Sequence, residues 1–294
     1  MLTMDKILVP VDFSERSTAA AEHAVAMAAK FNSELIFLHA VPPGPYEHGF
    51  FEGGFNASAV WPQREEIEEN LAAELASLTA RIGRGRRIES VVAWGDPAAK
   101  IEEMAEHEQV DLIMMPTHGF GPFRRFALGS VTAKVLHDLR CPIFTGAHVE
   151  ELPESATEPY ELVSCAIDMG PHSEAVLRWA WDFAKAWGAG LHVIHAARPI
   201  DEIHPERGNT PAQVRAAIDK AKMSEIAALL EKVGAEGRID VDCAAPVDYI
   251  CTATKDVLSD VLVIGRSTDT SLMGRLRTHS HAIIRDSPCP VISI

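Results

Sequence analysis

Residues 6–14, KILVPVDFS, and residues 161–169, ELVSCAIDM, are two versions of one segment. Each is a largely apolar run that reaches an aspartate, Asp12 in the first and Asp168 in the second. A near-continuous apolar run of this length reads as a strand buried on both faces, the kind found inside a parallel sheet. Four more segments recur in the same order. ELIFLHAV (34–41) resembles GLHVIHAA (190–197), aligning His39 with His195. WGDPAAKI (94–101) falls on CAAPVDYI (243–250) and places Pro97 on Pro246, while DLIMMP (111–116) falls on DVLVIG (260–265). RCPIFTG (140–146) matches PCPVISI (288–294), so Cys141 answers to Cys289. Five segments repeated in one order mean an internal duplication.

Each copy alternates strand and helix. In the first, the pattern predicts strands over 6–13, 34–42, 87–94, 111–116 and 141–147. It predicts helices over 15–31 and 63–82, a short one from Pro97, and one over 130–139. Ser14 is the expected N-cap of the first helix, and Pro97 suits a first helical turn. This alternation gives an α/β fold: two tandem Rossmann-like domains, each a five-stranded, mainly parallel sheet with helices on both faces. The polar, acidic, proline-bearing stretch around 148–161 separates them. The expected layout is a first domain over 1–148, a linker over 149–160 and a second domain over 161–294.

The 294-residue chain is long enough for two cores, and its 47% hydrophobic and 23% charged content is that of a globular protein. A net charge of −15 disfavours nucleic acid and anionic membrane surfaces as partners. No run of about 18 apolar residues predicts a membrane span, and the first residues show no cleavable signal pattern. The five cysteines, Cys141, Cys165, Cys243, Cys251 and Cys289, are widely spaced among apolar neighbours. They read as reduced core thiols of a cytoplasmic protein.

In such sheets ligands sit beyond the carboxyl ends of the strands, where strand order reverses. The stretch MMPTHGFGPFRRFALGSVTAKVL (114–136) runs from a strand through a glycine-bearing loop into a helix. Gly119 permits close approach of a phosphate, and Gly129 and Ser130 open a helix whose free N–H groups favour an anion. Ser130 adds a hydroxyl, and Arg124 and Arg125 add positive charge.

The ordered set VPVDFS, LHAV, GDPA, THG…LGSVTAKVLHD and CPIF resembles the universal stress protein family in its tandem form. The resemblance covers nearly the whole chain and implies domains of the adenine-nucleotide alpha-hydrolase-like type that bind ATP, with Mg2+ as a possible companion. Its nucleotide-binding loop reads Gly-x-x-Gly, nine residues, then Gly and Ser or Thr. Carried across, Gly119, Gly129 and Ser130 are expected at ribose and phosphates, with Val131 supplying a further N–H. Asp12 and Val41 are expected at the adenine. Pro116 stands where the pattern has its first glycine, so one donor is missing. Loss of one charge-assisted hydrogen bond costs about 1.5–3 kcal/mol, roughly ten- to a hundredfold in affinity. By the same resemblance, the last strands of the two halves pair as an intrachain pseudo-dimer, and a homodimer of the chain is a further expectation.

The second half carries a degenerate site. Asp168 and Gly265 are present, but Thr268 replaces the second glycine and Arg277-Thr278 replaces Gly-Ser. The leading expectation is thus a stress-response protein binding ATP mainly in its first half. The rival is a non-nucleotide, chaperone-like interaction module. No Walker loop, hydrolase elbow or metal-ligand spacing occurs, so neither a catalytic residue nor a metal site is assigned, and slow ATP hydrolysis stays open. The segment 42–62, with Phe50, Phe51, Phe55 and Trp61, has no counterpart in the second half. It reads as a cover over the nucleotide, a subunit contact or a plain surface loop.

Overall fold

The computed structural model describes residues 2–42, 61–118, 128–145, 160–197, 210–266 and 275–294, with helical side chains from 64 and from 279 onward. Residues 43–60, most of the segment 42–62, and Gly119, Arg124, Arg125 and Thr268, lie outside the described residues; the second unit has its own, shorter connection at the same place, between Ala197 and Pro211. The chain divides into two compact units at Phe144 and Thr145.

The first unit contains β1 (Lys6–Pro10), α1 (Glu15–Phe31), β2 (Glu34–Val41), α2 (Trp61–Ile82) and β3 (Ile88–Trp94). It continues with α3 (Pro97–His107), β4 (Leu112–Met114), α4 (Ser130–Asp138) and β5 (Ile143–Thr145). The second contains β6 (Leu162–Ala166), α5 (Ser173–Trp187), β7 (Gly190–Ala197), α6 (Pro211–Val233) and β8 (Arg238–Cys243). It closes with α7 (Pro246–Asp256), β9 (Val261–Ile264), α8 (Arg275–Asp286) and β10 (Val291–Ser293).

Strand order is β3-β2-β1-β4-β5 in the first unit and β8-β7-β6-β9-β10 in the second. The pairs within each are parallel. The α/β reading of the sequence therefore holds, and the reversal point falls between β1 and β4, and between β6 and β9. Ile7, Leu8 and Val9 are fully buried, as are Leu112, Ile113 and Met114. That is why these strands read as unbroken apolar runs rather than alternating ones.

The same local devices build both units. At the amino ends, Asp111 Oδ2 accepts the N–H groups of Asp5 and Lys6 at 2.7 and 3.0 Å. Asp260 Oδ2 accepts those of Glu161 and Leu162 at 2.7 and 2.8 Å. One carboxylate thus ties the start of the central strand to its neighbour. Ser14 caps α1 by accepting from Ser17 N, and Asn32 ends it in the left-handed conformation at φ 57°.

The strands are shorter than the sequence predicts. β1 ends at Pro10 instead of 13 because Phe13 takes φ 62°, which turns the chain out of the sheet. β4 covers Leu112–Met114 instead of 111–116, since Pro116 has no N–H to continue a ladder. β5 is described as Ile143–Thr145 within the predicted 141–147. Among the described residues, no helix is long and apolar enough to cross a membrane.

Candidate functional site

The carboxyl ends of β1 and β4 carry the residues singled out in the first half. Asp12 is half-buried just beyond β1. Its Oδ1 accepts the Ser14 N–H at 3.1 Å and the Ser14 hydroxyl at 2.6 Å, and its own N–H donates to Ser17 Oγ at 3.3 Å. The left-handed Phe13 between them makes this closed turn, so the carboxylate is fixed by its own chain before any ligand arrives. Behind it, His39 Nδ1 lies 2.7 Å from the Val11 carbonyl. A carbonyl only accepts, so Nδ1 carries the proton. The His39 ring packs on Phe13, with centroids 4.6 Å apart.

The second unit repeats the arrangement. Asp168 Oδ1 accepts from Gly170 N at 2.7 Å and Ser173 Oγ at 3.0 Å, Met169 takes φ 61°, and His195 Nδ1 lies 2.8 Å from the Ile167 carbonyl. Burial lowers the His195 pKa. The difference lies in exposure: Asp168 is open to solvent.

Beyond β4, Pro116, Thr117 and His118 are buried. Two bonds clamp this segment to the start of α4: Gly129 N–H donates to Thr117 O at 2.8 Å, and Thr132 Oγ1 donates to Pro116 O at 3.1 Å. Glycine suits this approach, because a Cβ at 129 would stand 3.2 Å from the Thr117 oxygen, a contact that the segment could take only by shifting slightly. The Gly129 N–H, counted among free donors in the sequence, is therefore spent within the protein. Gly129 occupies the N-cap position with no side-chain hydrogen bond, and α4 begins at Ser130. The amides of Ser130 and Val131 stand in the first turn, where the helix itself offers no acceptor.

Val41 closes β2, its carbonyl accepting Gly95 N–H at 2.9 Å. Beside it, at the end of β3, Trp94 donates Nε1–H to Glu68 at 3.1 Å and carries the Arg64 guanidinium 4.6 Å over its ring. Lys134 on α4 pairs with Asp96, the N-cap of α3, at 2.9 Å. In the second unit, Gly265 follows β9, and Arg266 N–H donates to Ile294 O at 2.7 Å. Thr278 falls within α8.

The structure thus brings Asp12, Pro116, Gly129, Ser130 and Val131 to one crevice edge, with Val41 two strands from β4 on the same edge. The sequence reading took Ser14 only as a helix cap and missed its hold on Asp12, and it overlooked Ser17, which also holds Asp12, and Thr117 and Thr132, which clamp the loop. A signal for Ser17 existed: Ser17 and Ser173 recur at the interval that relates Asp12 to Asp168. Among the described residues no group of three metal-ligating side chains occurs. Burial pushes the thiol of the core residue Cys289 up to about 12 and that of the half-buried Cys251 up to about 11, which keeps both protonated at neutral pH.

Comparison with known proteins gives the same picture. Residues 3–145, and again residues 159–294, match the universal stress protein family. A universal stress protein of Methanocaldococcus jannaschii is 31% identical over 140 residues, 47% of this chain and 79% of that protein. One from Mycobacterium tuberculosis is 26% identical over 208 residues, covering 67% of this chain and 65% of the relative. The crystal structure of a universal stress protein from Archaeoglobus fulgidus aligns over 99% of this chain and 96% of its own. That alignment has a TM-score of 0.66 and 21% identity, a likeness of fold.

Proposed function

The chain belongs to the universal stress protein family, and we propose that its first unit binds an adenine nucleotide, ATP in the first instance, at the β1/β4 crevice. The observation that carries this reading is the clamped start of α4. A helix N-terminus without a side-chain cap is held beside the end of β4, one strand from a carboxylate fixed in a closed turn. The Ser130 and Val131 amides and the Ser130 hydroxyl are the donors for phosphate, aided by the positive end of the helix dipole. Asp12 and Val41 are the residues proposed to meet the base and ribose. Mg2+, where it takes part, would ride on the phosphates.

The second unit keeps the carboxylate turn and is proposed as scaffold, its Asp168 exposed. The protein acts by occupancy, as a cytoplasmic stress-response component that presents its bound or empty state to partners. A homodimer of two chains belongs to the same reading. The rival, a chaperone-like module without nucleotide, gains nothing from the fixed Asp12 turn.

Ser130→Pro tests the proposal. Ser130 is the first residue of α4, where proline is tolerated, and the ψ of 147° at Gly129 suits a residue before proline. The substitution removes an amide and a hydroxyl donor while leaving the helix in place. Calorimetric titration of ATP should give about one site per chain in the unaltered protein and at least tenfold weaker binding in the variant. A folded variant with undiminished ATP heat would overturn the reading.

A further inference from the structure

The core of the second unit contains a chain of polar side chains that the first unit lacks. Ser164 on β6 hydrogen-bonds through Oγ to Ser259 Oγ, in the turn before β9, and lies 3.2 Å from His192 Nδ1 on β7. His192 Nε2 in turn lies 3.4 Å from Asp240 Oδ2 on β8, a carboxylate 35% exposed at the outer end of the chain. Ser164 and His192 are 0% and 1% exposed, and Ser259 is buried.

Sheet register fixes the matching positions in the first unit. Ser164 pairs with His192 as Leu8 pairs with Ile36, and Ile194 pairs with Asp240 as Leu38 pairs with Val91. Ser259 answers to Val110. Each donates its N–H to a helix carbonyl five residues back, and each follows a left-handed residue, Leu258 at φ 55° and Gln109 at φ 54°. Four apolar residues in one unit thus correspond to Ser, His, Asp and Ser in the other.

We propose that this polar chain is a pairing label, which keeps the strands of the second unit from being exchanged with those of the first during folding. A chain carrying two copies of one fold can place β1 beside β7, or β6 beside β2, within one molecule or between two. With Leu8 in the place of Ser164, His192 Nδ1 and Ser259 Oγ lose their partner in a dry core. With Ser164 in the place of Leu8, its hydroxyl lies between Ile36 and Val110. Each stranded group lowers the population of the exchanged form about tenfold, so the label acts against wrong partners more than for the right one. The proposal is independent of any nucleotide.

The test imports the residues of the first unit: Ser164→Leu, His192→Ile, Asp240→Val and Ser259→Val together in the full chain. Refolding from denaturant over a range of protein concentrations is followed by light scattering after size separation. The fourfold variant should give several-fold more material of non-native mass than the unaltered protein, although its circular dichroism and unfolding midpoint are retained or improved. An equal yield of native mass overturns the proposal. Should the fourfold variant not fold, Ser164→Ala serves instead. It strands His192 and Ser259 in native and exchanged forms alike, which removes the discrimination, and an unchanged misassembled fraction in that folded variant is equally fatal.

Discussion

Pro116 follows β4, and Gly265 holds the matching place after β9. A Cβ on Gly265 would stand 3.1 Å from Val176 Cγ2, so the second unit has glycine facing valine. The α1 residue that matches Val176 is Ala20, fully buried, so the first unit has proline with alanine. By this correspondence the two units trade volume, a larger residue at 116 going with a smaller one at 20. Pro116→Gly should therefore raise ATP affinity about tenfold or more while lowering stability by roughly 1 kcal/mol, through a looser loop and lost volume. Adding Ala20→Val should return part of that stability. Calorimetry and denaturant unfolding of the single and double variants separate the two effects.

A second residue adds to the acid sensitivity of the first unit. His23 on α1 is 1% exposed, edge-on to Phe144 at 4.7 Å, and burial pushes its pKa down to about 3. The unfolded chain takes up this proton near the ordinary histidine value of about 6.5, before the folded one does. The contribution of neutral His23 is therefore complete above that pH and is lost as pH falls toward 3, by about 1.4 kcal/mol per unit. His23→Leu should flatten the pH dependence of the first unit's unfolding midpoint between about pH 6 and about pH 4. An unchanged slope would contradict this account.

Among the elements, α3 differs from its counterpart α7 in how it starts. Asp96 Oδ1 accepts the Ala99 N–H and the Lys134 ammonium, each at 2.9 Å, whereas Ala245 gives α7 no side-chain cap. The Ala99 amide first, and then Lys134, hold the Asp96 carboxyl below its usual range. Its stabilising effect is thus present above the ordinary carboxylate pKa and disappears as pH falls through the lowered value. Asp96→Ala should cost about 1 kcal/mol, nearly all from the cap, because the exposed pair with Lys134 is worth only a few tenths. Guanidinium unfolding at neutral pH reads this loss, and the difference between the two proteins should vanish in strong acid.

For the whole molecule, the proposed single site in a duplicated chain predicts uneven stabilisation. ATP at a hundred times its dissociation constant adds about 2.7 kcal/mol to the unit that binds it. Hydrogen exchange should slow in peptides from β1, β4 and α4, while peptides from β6, β9 and α8 keep their rates. Equal protection in both halves would mean that the second unit binds as well, against the assignment of Asp168 and Gly265 to scaffold.

The duplication, the α/β class and the buried parallel strands follow from KILVPVDFS and its four companion segments, because apolar period and order along the chain are local properties. The glycine-serine start of α4 was legible for the same reason. Tertiary structure alone decided which donors remain for a ligand: Gly129 spends its amide on Thr117, a residue that sequence spacing does not single out. It also decided that Asp12 is locked by Ser14, and that Ser164, Ser259 and His192, spread along the second half, meet in the core with Asp240 at their outer end. Hydrogen bonds between residues distant in sequence depend on strand order and register, and those are fixed only when the sheet closes.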